Sequence, residues 1–400
     1  MQTKRRFPQG FDWGTATAAH QIEGANVNND WWAWEHTPGS PCAESSGDAC
    51  DSWHRWPDDV AVIANLGLTS YRFSIEWSRI EPAEGEWSRA ALDHYRRIGE
   101  ALLERKITPV VTFHHFTTPQ WLATQGGWLE PSTANAFARF CDVAARELAP
   151  VLGRACTINE PNMVAFMGYE FGTFPPAHTD ADEARRADDV FALAHRRAVD
   201  AIKQHVPDVP VGLTVAMMDY QPAEGGDAAC AAARATEDHY LDAAAGDDFI
   251  GIQTYSRLLM GPNGWLGPQP GVPVVETMFY EFWPQALEAT LRRAWERTSG
   301  RSRLYVTENG LATDDDADRI RYVQRALEGV LGCLDDGIDV GGYTYWSLLD
   351  NFEWAFGYTP RFGLIEVDRT TFDRRPKESA RWLSSVARTN TLDVQGPLDR

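Results

Sequence analysis

Eight short β-rich runs recur along the chain, separated by stretches of helical periodicity. They are Phe11–Ala16, Ser70–Ser74, Ile107–Phe113, Ala155–Asn159, Val211–Ala216, Phe249–Tyr255, Leu304–Thr307 and Gly342–Trp346. Most are apolar at successive positions, the pattern of a strand covered on both faces. Between them, Ile320, Val323, Leu327, Val330, Leu331 and Leu334 repeat every three to four residues, as one face of a helix does. Phe137, Phe140, Ala144 and Leu148 do the same after a Pro131-Ser132 start signal, and Asp93–Leu103 is a third such element. Strand and helix alternating eight times predict an α/β chain closed into a single (β/α)8 TIM barrel. Length alone would suggest two or three domains of ~150 residues, but barrels of this kind reach ~400 residues as one domain. No Gly/Ser/Pro linker divides the 400 residues. The acidic stretch His178–Asp189 leads into a helix around Phe191, and Ala228–Ala245 reads as helical. One catalytic domain is therefore expected over residues 1–388. Periodicity fades after about Thr389, so residues 389–400 are expected to be a tail.

A net charge of −20, from 37 basic and 57 acidic residues, excludes a phosphate backbone as partner. No apolar run approaches ~18 residues, so no membrane span is expected. The N-terminal Lys4-Arg5-Arg6 is followed by Phe7-Pro8 and not by an apolar segment, which predicts no secretory signal and a cytoplasmic protein. The six cysteines are scattered without Cys-x-x-Cys spacing, against a zinc or redox site. Cys42 and Cys50 share a loop, but free thiols suit a chain without an export signal.

The fourth and seventh runs end in carboxylates, Glu160 in Thr157-Ile158-Asn159-Glu160-Pro161-Asn162 and Glu308 in Val306-Thr307-Glu308-Asn309-Gly310. In such barrels the carboxyl ends of the strands carry the chemistry. Two carboxylates there suit a glycosidic bond, which needs a proton donor on one side and an anion facing the sugar carbon on the other. Arg72, His115, Tyr255, Trp346 and Glu353 collect at the same rim. His114 and His115 are adjacent, so on a strand they point oppositely. His115 is the site candidate and His114 core, and the pair cannot hold one metal ion.

These segments resemble glycoside hydrolase family 1, the β-glucosidase-like retaining enzymes, from about Phe7 to Trp382. Phe11 to Ala25 (FDWGTATAAHQIEGA) looks like the family's opening strand and Tyr71 to Glu81 (YRFSIEWSRIE) like its second. TINEPN and VTENG match its two catalytic motifs, and Trp346 to Gly357 (WSLLDNFEWAFG) matches the segment that grips the sugar. The resemblance implies Glu308 as nucleophile and Glu160 as general acid, then general base. It implies Arg72 and Tyr255 as the groups that keep Glu308 ionised by charge and hydrogen bond. Asn159 would bond the sugar 2-hydroxyl. Gln21, His115 and Glu353 would hold the outer hydroxyls, with Trp346 and Trp354 as floor and wall. No cofactor or metal is implied, and the partner is a small carbohydrate. Trp121, Trp128 and Trp265 are candidates for the leaving-group side.

The sequence departs from the family pattern in two places. Gln253-Thr254-Tyr255 stands where Asn-Tyr-Tyr is usual, and Phe116 where Trp commonly follows the histidine. The expected activity is hydrolysis of terminal non-reducing β-D-glucosyl residues, with β-galactosides and β-fucosides as weaker substrates. A 6-phospho-β-glycosidase is disfavoured because Glu353, Trp354 and Ala355 offer no cation for phosphate. A catalytically dead sugar-binding barrel is disfavoured because both glutamates are present. Transglycosylation would use the same residues, and the oligomeric state stays open.

Overall fold

The computed structural model describes residues 3–394. The eight runs form β1 (Asp12–Ala16), β2 (Ser70–Ser74), β3 (Thr108–His114), β4 (Arg154–Asn159), β5 (Val211–Ala216), β6 (Phe249–Gln253), β7 (Arg303–Asn309) and β8 (Val340–Trp346). They pair in parallel in chain order and close into one barrel, β8 against β1. All seven residues of β8 and all five of β2 and β6 are buried, as strands between a filled lumen and a helical layer must be. The lumen is tight. A Cβ on Gly251 of β6 would lie 2.5 Å from Thr307 Oγ1 and 2.6 Å from Thr214 Cγ2, on the strands at either side.

The outer layer is built from α1 (Ser52–Leu66), α2 (Arg89–Glu104), α3 (Pro131–Leu148), α4 (Ala181–Lys203), α5 (Asp227–Ala243), α6 (Ala286–Arg297), α7 (Asp316–Asp335) and α8 (Glu378–Thr389). Local signals set their ends. Ser88 caps α2 by accepting from Ala91 N, and Pro131 occupies the first turn of α3. The acidic stretch before Phe191 is mostly helix, because Asp180 accepts from the amides of Asp182 and Glu183 and starts α4 there. Acidic side chains in a first turn favour that start, since they face the positive end of the helix dipole.

Simple alternation along two strands breaks where it matters most. Register shifts lie between Cys156 and Asn159 on β4 and between Val306 and Glu308 on β7. Such irregularities re-aim the side chains that follow. On β4, Thr157 meets His195 of the outer helix α4 at 2.8 Å, yet Asn159, two residues on, bonds Arg72. The chain then leaves β4 through Glu160 in a left-handed conformation, φ 42°, into the short helix Pro161–Ala165.

The expected tail is not a tail over its described part. Thr391–Val394 is a strand, antiparallel to Thr3–Arg6 and in register from Thr3 opposite Val394 to Arg6 opposite Thr391. Its alternation buries Leu392, 1% exposed, beneath the pairing. Residues 395–400 lie outside the described residues. Among the described residues, no helix is long and apolar enough to cross a membrane. Cys42 and Cys50 are both free thiols.

Candidate active site

Strand ends bring distant residues to one cleft of about 280 Å³. Glu160, Glu308, Tyr255, His115, Trp346, Glu353 and Trp354 line it. Arg72, Asn159 and Gln21 reach it through hydrogen bonds to lining residues. Arg72, 1% exposed, donates from Nη1 to Glu308 Oε1 at 2.6 Å and from Nη2 to Asn159 Oδ1 at 2.5 Å. Its Nε is held by Thr112 Oγ1 at 3.0 Å, which fixes the plane of the guanidinium. Glu76, the local acid that could have claimed Arg72, is occupied instead by Asn26, Ser78 and Thr117. Tyr255 donates its hydroxyl to Glu308 Oε2 at 2.7 Å. Each oxygen of Glu308 therefore has its own donor, a cation on one side and a phenol on the other.

Asn159 is oriented by its acceptors and donors alone. Its Oδ1 accepts from Arg72, from Gln253 Nε2 at 2.9 Å and from Thr214 Oγ1 at 3.2 Å. The amide nitrogen must then face His115, where Nδ2 donates to Nε2 at 3.2 Å. Burial, with the nearby Arg72 charge, holds His115 well below its ordinary pKa, so the ring is neutral with its proton on Nδ1. The Gln253 departure is thus put to use: the longer amide reaches Asn159. The His115 ring is nearly parallel to the indoles of Trp346, at 5.7 Å, and of Trp354, at 6.1 Å. Phe116 packs on Trp354 at 4.9 Å. Gln21 donates to Glu353 Oε2 at 3.1 Å and to Phe352 O at 2.8 Å. His114 points away into the packing of Trp128, Phe137 and Phe191, as expected.

Burial dominates the electrostatics. It pushes the Glu160 carboxyl well above the usual carboxylate range, and the Glu308 charge adds to the rise. Glu308 was expected to be drawn down by Arg72 and Tyr255. Burial instead leaves it raised, with Arg72 and the Tyr255 hydroxyl offsetting part of the effect. Glu160 lacks the Tyr255 bond and the Arg72 ion pair, so of the two it keeps a proton to higher pH. Burial, then Glu308, also raises Glu353 from 4.5 to about 8, against the bond from Gln21. At neutral pH Glu353 therefore holds its proton in the free protein, able to donate as well as accept.

Among the described residues, four buried polar atoms here have no hydrogen-bond partner: Gln21 Oε1, His115 Nδ1, Gln253 Oε1 and Tyr280 Oη. Such atoms cost about 1–3 kcal/mol each unless something bonds them, and a polyhydroxylated ring can. Tyr280 was not foreseen. It sits in the long excursion after β6, where no motif marks it. The proposed leaving-group tryptophans are not at the cleft. Trp128 is stacked on Phe191 at 3.9 Å in the core, Trp121 donates to Glu81 O, and Trp265 is 48% exposed. Five of the seven methionines, Met163, Met167, Met217, Met218 and Met278, line the cleft instead. Nothing in their spacing could have shown it, since they come from three separate segments: the helical turns after β4 and the excursions after β5 and β6.

The model of glycosyl hydrolase family 1 matches residues 3–261 and 268–392. The chain belongs to that family. It is 32% identical to β-glucosidase A of Thermotoga maritima, over 97% of this chain and 99% of that protein. It is 33% identical to a bifunctional β-D-glucosidase/β-D-fucosidase of Bifidobacterium breve, over 94% and 97%. Among solved structures, β-glycosidase BGL167 superposes with a TM-score of 0.90 at 48% identity, covering 98% of this chain and all of that one. The Thermotoga maritima enzyme in complex with noeuromycin gives 0.90 at 32% identity, covering 96% and 99%.

Proposed function

We propose that this family 1 enzyme is a retaining, exo-acting β-glucosidase. Glu308 attacks the anomeric carbon as a carboxylate while Glu160 protonates the leaving oxygen. Once Glu308 is an ester its charge is gone, and Glu160 loses the neighbour that helped hold its proton. It can then ionise and take a proton from water, which cleaves the ester and returns Glu308 as a carboxylate. Each glutamate thus serves both half-reactions.

The observation that carries this reading is the grip on Glu308: Arg72 at 2.6 Å on one oxygen and Tyr255 at 2.7 Å on the other, with a more strongly raised Glu160 in the same cleft. Paired carboxyls held in different environments separate the acid from the nucleophile. Asn159, with a second N–H to spare, is suited to the 2-hydroxyl. Gln21, His115, Tyr280 and Glu353 supply the donors and acceptors for the outer hydroxyls, and the Trp346 and Trp354 faces pack on the C–H face of the ring. The relatives named for β-glucosidase and β-fucosidase activity support glucosides first and fucosides beside them; galactosides are proposed as weaker substrates. A phosphosugar is disfavoured, since no lysine or arginine is among the described residues that line the cleft, and Arg72 beneath it is committed to Glu308 and Asn159. The free thiols, Cys42 and Cys50 among them, fit a cytoplasmic enzyme.

Two variants test the roles. Glu308→Gly abolishes turnover of aryl β-glucosides. Glu160→Ala keeps a burst of phenol release from activated aryl glucosides, because that first step needs no acid, and slows the second. Equal loss in both variants on such substrates contradicts the assignment.

A further inference from the structure

The two ends of the cleft differ in what they leave unbonded. At the sugar end, polar atoms of Gln21, His115, Gln253 and Tyr280 are buried and without partners. At the outer end the few polar side chains are already consumed. Asn162 donates to Ala216 O at 2.8 Å and accepts from Ala216 N at 3.3 Å, so its amide is closed on the backbone. Glu237 accepts from Arg293 at 2.6 Å and from Met218 N at 2.9 Å. Tyr220, on the same wall, bonds Glu237, and what remains there is apolar: Met163, Met167, Met218, Met278, Phe174 and Phe356.

Exposed aromatic rings adjoin the segments that carry these residues. Phe166 and Phe171 stack at 5.8 Å beside the turn that carries Met163 and Met167, and are 43% and 60% exposed. Phe279 follows Met278, is 64% exposed, and faces Phe356 at 6.4 Å. Exposed aromatic rings beside an apolar cleft mark a binding surface. Methionine side chains are unbranched and polarisable, so such a wall adapts to differently shaped apolar groups.

On the glucosidase reading, on which this rests, we propose that the outer half of the cleft is a subsite for apolar alcohols, so that glucosides of hydrophobic aglycones are the preferred substrates and glucosyl-glucose is a poor one. A second sugar there would strip its hydroxyls of water and find few protein partners. Sites of opposite polarity discriminate strongly for that reason. An alkyl chain instead gains roughly fourfold in affinity for each methylene removed from water.

The test is a set of specificity constants for methyl β-D-glucoside, n-hexyl β-D-glucoside, cellobiose and 4-nitrophenyl β-D-glucoside with the full chain. The methyl and hexyl compounds share the leaving-group chemistry and differ only in apolar length. The expected kcat/KM for the hexyl glucoside is at least about tenfold above the methyl one, allowing for partial burial, and above that for cellobiose. In Met163→Gln and in Met278→Gln the hexyl-to-methyl ratio falls about threefold or more, a change that loss of folded enzyme would not produce. Turnover of the nitrophenyl compound with hexyl no better than methyl, with cellobiose the best substrate, or with the ratio unmoved in both variants overturns the apolar subsite while sparing the glucosidase reading. No turnover of any of the four overturns both.

Discussion

Arg72 does at residue scale what no motif states: one guanidinium fixes both the nucleophile candidate and the asparagine beside the acid candidate. Its removal takes away the charge that favours the Glu308 carboxylate. In Arg72→Met, kcat/KM on an aryl glucoside is expected to fall at least about 100-fold. Its acid limb should also move to higher pH, because Glu308 then keeps its proton longer. A loss without that shift would mean that Arg72 only shapes the site. Glu353 gives a second signed expectation. Its folded-state pKa of about 8 lies above the ordinary 4.5. Between those values the folded protein holds a proton that the unfolded chain has released, so this group's contribution to stability declines as pH rises from 4.5 to 8. In Glu353→Gln, denaturant unfolding across that window should show a shallower decline, by about one proton. An unchanged slope would place the titration elsewhere. Glu160, Glu308 and their partners were legible because motif and strand end coincide. The protonation of Glu353 was not, because burial is a property of the closed barrel and not of the segment that carries the residue.

At the scale of elements, the eight strands were legible because burial on both faces leaves an unbroken apolar run. The register shifts before Asn159 and Glu308 were not, since a bulge leaves the composition of a strand unchanged. The fit between strands can be probed at Gly212 of β5. A Cβ there would lie 2.1 Å from Phe249 O, a backbone atom of β6 that cannot turn aside. Gly212→Ala is expected to cost about 1–3 kcal/mol in unfolding free energy, read as a lower urea midpoint with an unchanged slope. No loss would mean that β6 can yield at that point. The methionine wall belongs to this scale too. It is assembled from the helical turn after β4 and the excursions after β5 and β6, three segments whose sequences share no pattern.

For the whole molecule, the closing of the barrel is reinforced by its two ends meeting. The strand Thr391–Val394 pairs with Thr3–Arg6 and buries Leu392. Fading periodicity suggested a tail because a four-residue strand is too short to show a period. Truncation after Thr389 should lower Tm by a few °C, since the lost Leu392 burial alone is worth about 1.5–3 kcal/mol. An unaltered melting temperature would return those residues to the status of a tail. Glu160 and Glu308, 148 positions apart in sequence, are proposed to act together on one acetal. The most direct test is mass spectrometry of the peptides after reaction with a slow 2-deoxy-2-fluoro-β-glucoside, which lets the first step outrun the second. A single added fluoroglucosyl group on the peptide containing Glu308 is the predicted result. A label on the Glu160 peptide, or steady turnover with no labelled protein, would contradict it.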